Sequence, residues 1–149
     1  MSAPIKTPGP DHPIAVAPNP KQVRVSVDGI VIAETARALT LREAAYPPVQ
    51  YVPREDADMT RLRRSDHRSY CPYKGEAGYF SIVSGDRVLE NAVWTYEAPY
   101  DAVMAIAGHL AFYPDKVAVE EVWTIRRTPL RKGKSRRAQA RRLPVVAAT

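Results

Sequence analysis

VRVSVDGIVIA, residues 23 to 33, is the stretch on which the fold class turns. Val23, Val25 and Val27 alternate with Arg24 and Ser26, and a period of two sorts side chains onto opposite sides of a strand. Asp28-Gly29 then supplies the residue pair that tolerates positive φ, and an apolar run resumes at once. Two β-prone runs joined by such a pair predict a hairpin with a two-residue turn, and hence antiparallel pairing.

The same signals recur on both sides. RALTL at 37 to 41 and VQYV at 49 to 52 read as strands, separated by Tyr46-Pro47-Pro48, where two prolines force a turning path. AGYFSIV at 77 to 83 is rich in aromatic and β-branched residues, Ser84-Gly85-Asp86 turns the chain, and RVLENAVWTY at 87 to 96 returns as a second hairpin. REDADMTRL, 54 to 62, is polar and short, and predicts one helical turn or a loop. The single convincing helix is AVMAIA after Pro99, with Asp101 placed to cap its amides and Gly108 to end it in the left-handed region. KVAVEEVWTI, 116 to 125, predicts a closing strand, and the slip in its alternation before Val122 suggests a bulge. Seven or so strands against one short helix describe a mainly β, antiparallel domain, built as two sheets or a half-open barrel. No internal repeat of solenoid length is visible. Roughly a hundred residues bury about 60 to 70% of their unfolded surface, enough for one core without staples.

The ends differ from this middle. Six of the 14 prolines fall in residues 1–20, where each removes a backbone donor and fixes φ, so the segment reads as an extended or disordered arm without helix or paired strand. From 126 to 142 the chain carries nine Lys or Arg and no acid. The net +6 of the chain therefore comes from this tail, and the domain at 21–125 is slightly acidic. A polybasic tail, 126–149, suits weak phosphate contact with a nucleic acid or plain solvation; no aromatic ring interleaves with its charges, so base stacking is not indicated.

No stretch approaches the roughly 20 apolar residues of a membrane-spanning helix, and residues 1–20 show no charged region followed by an apolar run. The one cysteine rules out an intramolecular disulfide, and a lone thiol suits a reducing compartment, so the expected location is cytoplasmic. The oligomeric state is not legible.

Chemistry-bearing residues concentrate in HRSYCPYKGEAGYF, 67 to 80. Cys71 and Lys74 are the candidate nucleophiles. A free thiol is only about 3% thiolate at pH 7, so catalysis requires a cation or base such as Lys74 or His67 beside it; without one, Cys71 is a small buried hydrophobe. Tyr51, Tyr73, Tyr79, Trp94 and Tyr96 combine large ring faces with a polar handle. Converging with Arg37, Glu43 and Lys74 they make a pocket that stacks a planar or cyclic ligand; otherwise they fill a core. Lys74-Gly75-Glu76 does not fit a phosphate-cradling loop, and the acids of REDAD are those of a solvated polar loop rather than a Mg²⁺ pair.

The succession VDGIVIAETARAL, YVPREDADM, YCPYKGEAGYFSI, ENAVWTYEAP and IAGHLAFYPDKV resembles the family known as domain of unknown function 427, over residues 23 to 119 or so. That resemblance implies a β-tent-like fold and a nucleotidyltransferase-like label in some classifications, with no firmly established reaction; both arms lie outside it. Several β-tent proteins hold zinc through paired CxxC motifs. With one cysteine and with His12, His67 and His109 far apart, no metal and no cofactor is expected here. Three functional expectations result: a small-molecule binding module, an enzyme that is nucleotidyltransferase-like or works through Cys71 or Lys74 as nucleophile, and nucleic-acid association through the basic tail.

Overall fold

The computed structural model describes residues 4–123. Ten strands follow one another: β1 (Ile14–Pro18), β2 (Gln22–Val27), β3 (Ile30–Thr35), β4 (Leu39–Glu43), β5 (Val49–Tyr51), β6 (Leu62–Cys71), β7 (Gly75–Ser84), β8 (Arg87–Thr95), β9 (Leu110–Phe112) and β10 (Ala118–Val122). The domain is mainly β and every pairing is antiparallel. Among the described residues the strands form three sheets in the orders β1-β4-β5, β10-β2-β3 and β6-β7-β8-β9, where the sequence suggests two sheets or a half-open barrel, and no sheet closes into a barrel. The first and third are stitched together by one reciprocal pair, in which Val52 N donates to Leu110 O and Leu110 N to Val52 O, each at 2.8 Å.

The β2–β3 hairpin is the one the sequence describes. Asp28 and Gly29 take φ of 51° and 81° at the turn, and Val23, Val25 and Val27 are buried while Arg24 and Ser26 are half-buried. Their valines join Ile32, Phe80, Ile82, Val93 and Leu110 in the larger core cluster. A smaller cluster, Leu41, Tyr51, Tyr79, Tyr96, Val103 and Ile106 with neighbours, lies under β1, β4 and β5.

Three expectations change, and one strand appears where the sequence pattern assigns no element. Residues 1–20 are not wholly an unpaired arm: Ile14–Pro18 pairs residue for residue with Leu39–Glu43. The prolines bracket this strand instead of interrupting it, and at the sheet edge Pro18 needs no ladder donor; Ile14 and Val16 pack against the smaller cluster. Second, β6 runs for ten residues through LRRSDHRSYC, a stretch without apolar alternation. As an edge strand with both faces wet it has no core side to mark it. Third, the stretch after Pro99 is a 3₁₀ segment, Asp101–Ile106, broken by non-helical angles at Val103, and no side chain caps it; Gly108 does take a positive φ, 73°. Finally, β10 pairs with β2 without a slip. The irregularities lie at Val25/Ser26 in β2–β3, in β6 between Arg64 and Arg68, and in β7–β8, where Asn91 takes φ of 51°.

Two short 3₁₀ turns, Arg54–Asp56 and Met59–Arg61, occupy the polar segment read as a turn or loop. Among the described residues no helix is long and apolar enough to cross a membrane. The basic tail, 126–149, lies outside the described residues.

Candidate functional site

β5, β7, β8 and β9 bring aromatic side chains to one cavity of about 690 Å³, to which β4 adds Leu41 and Glu43. Its volume is in the range of small-molecule sites. Tyr51 comes from the end of β5, Tyr79 from β7, Trp94 and Tyr96 from the end of β8 and the residue after it, and Tyr113 from the residue after β9. Tyr79 and Trp94 are paired neighbours across β7 and β8, which sets their side chains on one face. The indole stands edge-on to Tyr51, with ring centroids 6.3 Å apart at 88°, and donates Nε1–H to the Tyr51 hydroxyl at 3.2 Å. On its other flank Tyr113 lies 4.5 Å away, tilted by 45°. Burial pushes the phenols of Tyr51 and Tyr96 up, so both remain neutral donors. Tyr113 is pushed up to about 12, first by burial and then by its hydrogen bond with Tyr79.

Against these rings stands one polar chain. Lys74, 8% exposed, sits in the turn between β6 and β7 and donates from Nζ to Glu43 Oε1 at 2.5 Å. The second carboxylate oxygen accepts from His12 Nε2 at 2.7 Å, and the His12 ring stacks on Tyr73, 4.0 Å away and 4° from parallel. Burial raises the Glu43 carboxyl, but the hydrogen bonds from Lys74 and His12 outweigh it and hold the group below the usual carboxylate range. Glu43 is therefore a carboxylate at neutral pH, and Lys74 is its ammonium partner. An ammonium so engaged has no lone pair for attack, but it keeps two further N–H donors for a guest.

At another part of the wall, Gln50 Oε1 accepts from Thr40 Oγ1 at 2.8 Å and from Asn19 Nδ2 at 2.9 Å, and Asn19 also donates to Glu121 Oε1 at 3.2 Å. Gln50 and Glu121 both line the cavity. The carbonyl end of Gln50 is saturated by the protein, which leaves its amide hydrogens as the end to offer a ligand.

Of the residues singled out in the sequence, Glu43, Tyr51, Lys74, Tyr79, Trp94 and Tyr96 line this one cavity. Arg37 does not. It pairs outside with Glu55 at 3.2 Å and Asp56 at 3.1 Å, next to a separate shallow hollow. Tyr73 stands behind the ion chain, against His12, and Cys71 is a half-buried free thiol packed on the smaller core cluster. The sequence gives no local signal for His12, Gln50, Tyr113 or Glu121: His12 reaches Glu43 across 31 positions, Asn19 reaches Glu121 across 102. Among the described residues no three His, Cys, Asp or Glu side chains gather as a metal ion requires.

A family model described as a domain of unknown function, DUF427, whose short name carries a nucleotidyltransferase label, matches residues 15–123. A search of curated proteins finds no match.

Proposed function

This chain belongs to the DUF427 family, and we propose that it is a binding protein for a small planar or cyclic organic molecule, held in the cavity between Tyr51, Trp94, Tyr96 and Lys74. The observation that carries the reading is the juxtaposition of neutral aromatic rings with a donor set that the protein leaves incomplete: the free N–H groups of Lys74 and the amide end of Gln50. Ring faces contribute most of the affinity in such a site, and the few polar groups fix orientation. The described lining carries Glu43 and Glu121 against Lys74, a net negative balance that repels a nucleoside triphosphate. A neutral or cationic ring fits better, whatever the short name of the family model suggests.

Trp94 and Trp123 are the two tryptophans, so Trp123→Phe leaves Trp94 as the only indole reporter. Titration with the planar probes benzamide, nicotinamide and uracil should quench its fluorescence and raise the Tm for at least one of them. In Trp94→Ala the thermal response to that probe should vanish while the circular dichroism of the β domain persists. A wall that binds nothing planar, with unchanged fluorescence for all three probes, or a Trp94→Ala chain that is simply unfolded, makes these rings core.

A further inference from the structure

Gly78 lies inside β7, yet its φ is not in the left-handed region that only glycine favours. Its missing side chain serves something else. A β-carbon placed on Gly78 would meet Arg64 Nη1 at 3.3 Å and Arg68 Nη1 at 3.4 Å, so two guanidinium groups from β6 come down on the same small spot of the sheet. A glycine inside a strand marks a place where another group approaches closely. A third guanidinium joins them. Arg54 and Arg64 both donate from Nη2 to Glu97 Oε2, at 3.1 and 2.9 Å, and both lie over the Phe80 ring, with Cζ 5.5 and 4.6 Å from its centroid. The hydrogen bond from Arg64 and then that from Arg54 hold the Glu97 carboxyl below its ordinary value against a modest burial penalty.

The cluster is short of acceptors. One carboxylate serves two arginines, Arg54 Nε is buried with no hydrogen-bond partner among the described residues, and the exposed Arg68 pairs with no carboxylate among them. Three like charges beside one opposite charge leave a local excess of two, which is unfavourable unless an anion completes the group. Guanidinium groups present forked donors that match the tetrahedral oxygens of phosphate.

We propose that Arg54, Arg64 and Arg68 form a binding site for a terminal phosphate, carried as a dianion either free or on a small monoester. Arg64 joins the group, sharing the spot at Gly78 with Arg68 and the Glu97 carboxylate with Arg54; a compact cluster of this kind suits a terminal phosphate better than the track of contacts a phosphodiester backbone takes. The site is distinct from the aromatic cavity, whose lining contains none of these residues.

Calorimetric titration of the full chain at pH 8, where a monoester is dianionic, and at constant ionic strength tests this with inorganic phosphate, ribose 5-phosphate and dimethyl phosphate. The first two should bind, and dimethyl phosphate, a monoanionic diester, should bind at least about tenfold more weakly. Binding of inorganic phosphate alone would identify the source as the free anion, binding of both a monoester with room for its sugar; either supports the site. Arg68→Gln should weaken phosphate by about tenfold, the loss of one charge-assisted contact. Glu97→Gln removes the internal competitor and should tighten it, a gain that a merely structural Glu97 does not give. Equal affinity in Arg68→Gln would place the binding on other basic residues of the chain and overturn the proposal, as would equal affinity for dimethyl phosphate or no gain in Glu97→Gln.

Discussion

Replacing Glu43 by alanine is expected to lower the unfolding free energy at pH 7 by about 3 kcal/mol, because it strands Lys74 as a buried charge without its partner. For a domain of this size that corresponds to a fall in Tm of about 12 °C or more. The side chains concerned are 10% and 14% exposed, so solvent does little to screen the loss. Lys74→Met should cost a comparable amount by stranding the carboxylate. The double variant Glu43→Ala/Lys74→Met should be more stable than either single one, since no uncompensated charge then remains. Chemical denaturation of the four proteins gives the coupling directly, and additive losses would mean that the pair is solvated and energetically minor. The pH dependence carries a definite sign. Glu43 is held below its ordinary value by Lys74 and His12 despite burial. Its contribution is therefore complete above the unfolded glutamate value of about 4.3 and is lost as pH falls through the lowered folded value. Acid unfolding of Glu43→Gln should accordingly show a shallower loss of stability below about pH 4 than the parent chain.

What the sequence conveyed about this fold follows the strength of local signals. The β2–β3 hairpin is legible because Asp28-Gly29 and the flanking valines state the turn and the buried face together, and the structure buries those valines while Arg24 and Ser26 stay half-buried. β6 is not, because a strand whose side chains are all half-buried or exposed shows no period. The 3₁₀ segment after Pro99 carries the composition of a helix but is six residues long, too short for helical propensity to prevail over packing of Val103 and Ile106 in the core. For the cavity, Tyr51, Tyr79, Trp94 and Tyr96 were recognisable as rings with polar handles near charged residues, and antiparallel pairing puts Tyr79 beside Trp94. Arg37 was misdirected by its charge alone: its partners Glu55 and Asp56 draw it to the exterior. His12 was illegible for a different reason. Only the pairing of β1 with β4 carries it to Glu43, and β1 sits in a segment whose prolines argue against a strand.

Removal of residues 1–18 should therefore do what the loss of a disordered arm does not: lower stability by about 3 kcal/mol and Tm by about 12 °C or more. Three contributions disappear together. Ile14 and Val16 no longer pack on the smaller core cluster, worth about 1 kcal/mol each for partial burial. The charge-assisted hydrogen bond from His12 to Glu43 is lost, worth about 1.5 to 3 kcal/mol. The five-residue ladder along β4 also goes. The entropy regained by no longer ordering the segment offsets part of this sum. Removal of residues 1–8 keeps His12 and β1 and should cost less than about 1 kcal/mol. The larger truncation also exposes β4 as an unprotected edge, so it should associate at concentrations where the parent chain keeps its own state, measurable by light scattering. Combining it with Glu43→Ala should cost less than the two losses added, because both remove the same His12–Glu43 contact. Equal stability of the two truncated chains would place β1 outside the folded unit and detach His12 from the ion chain that faces the cavity.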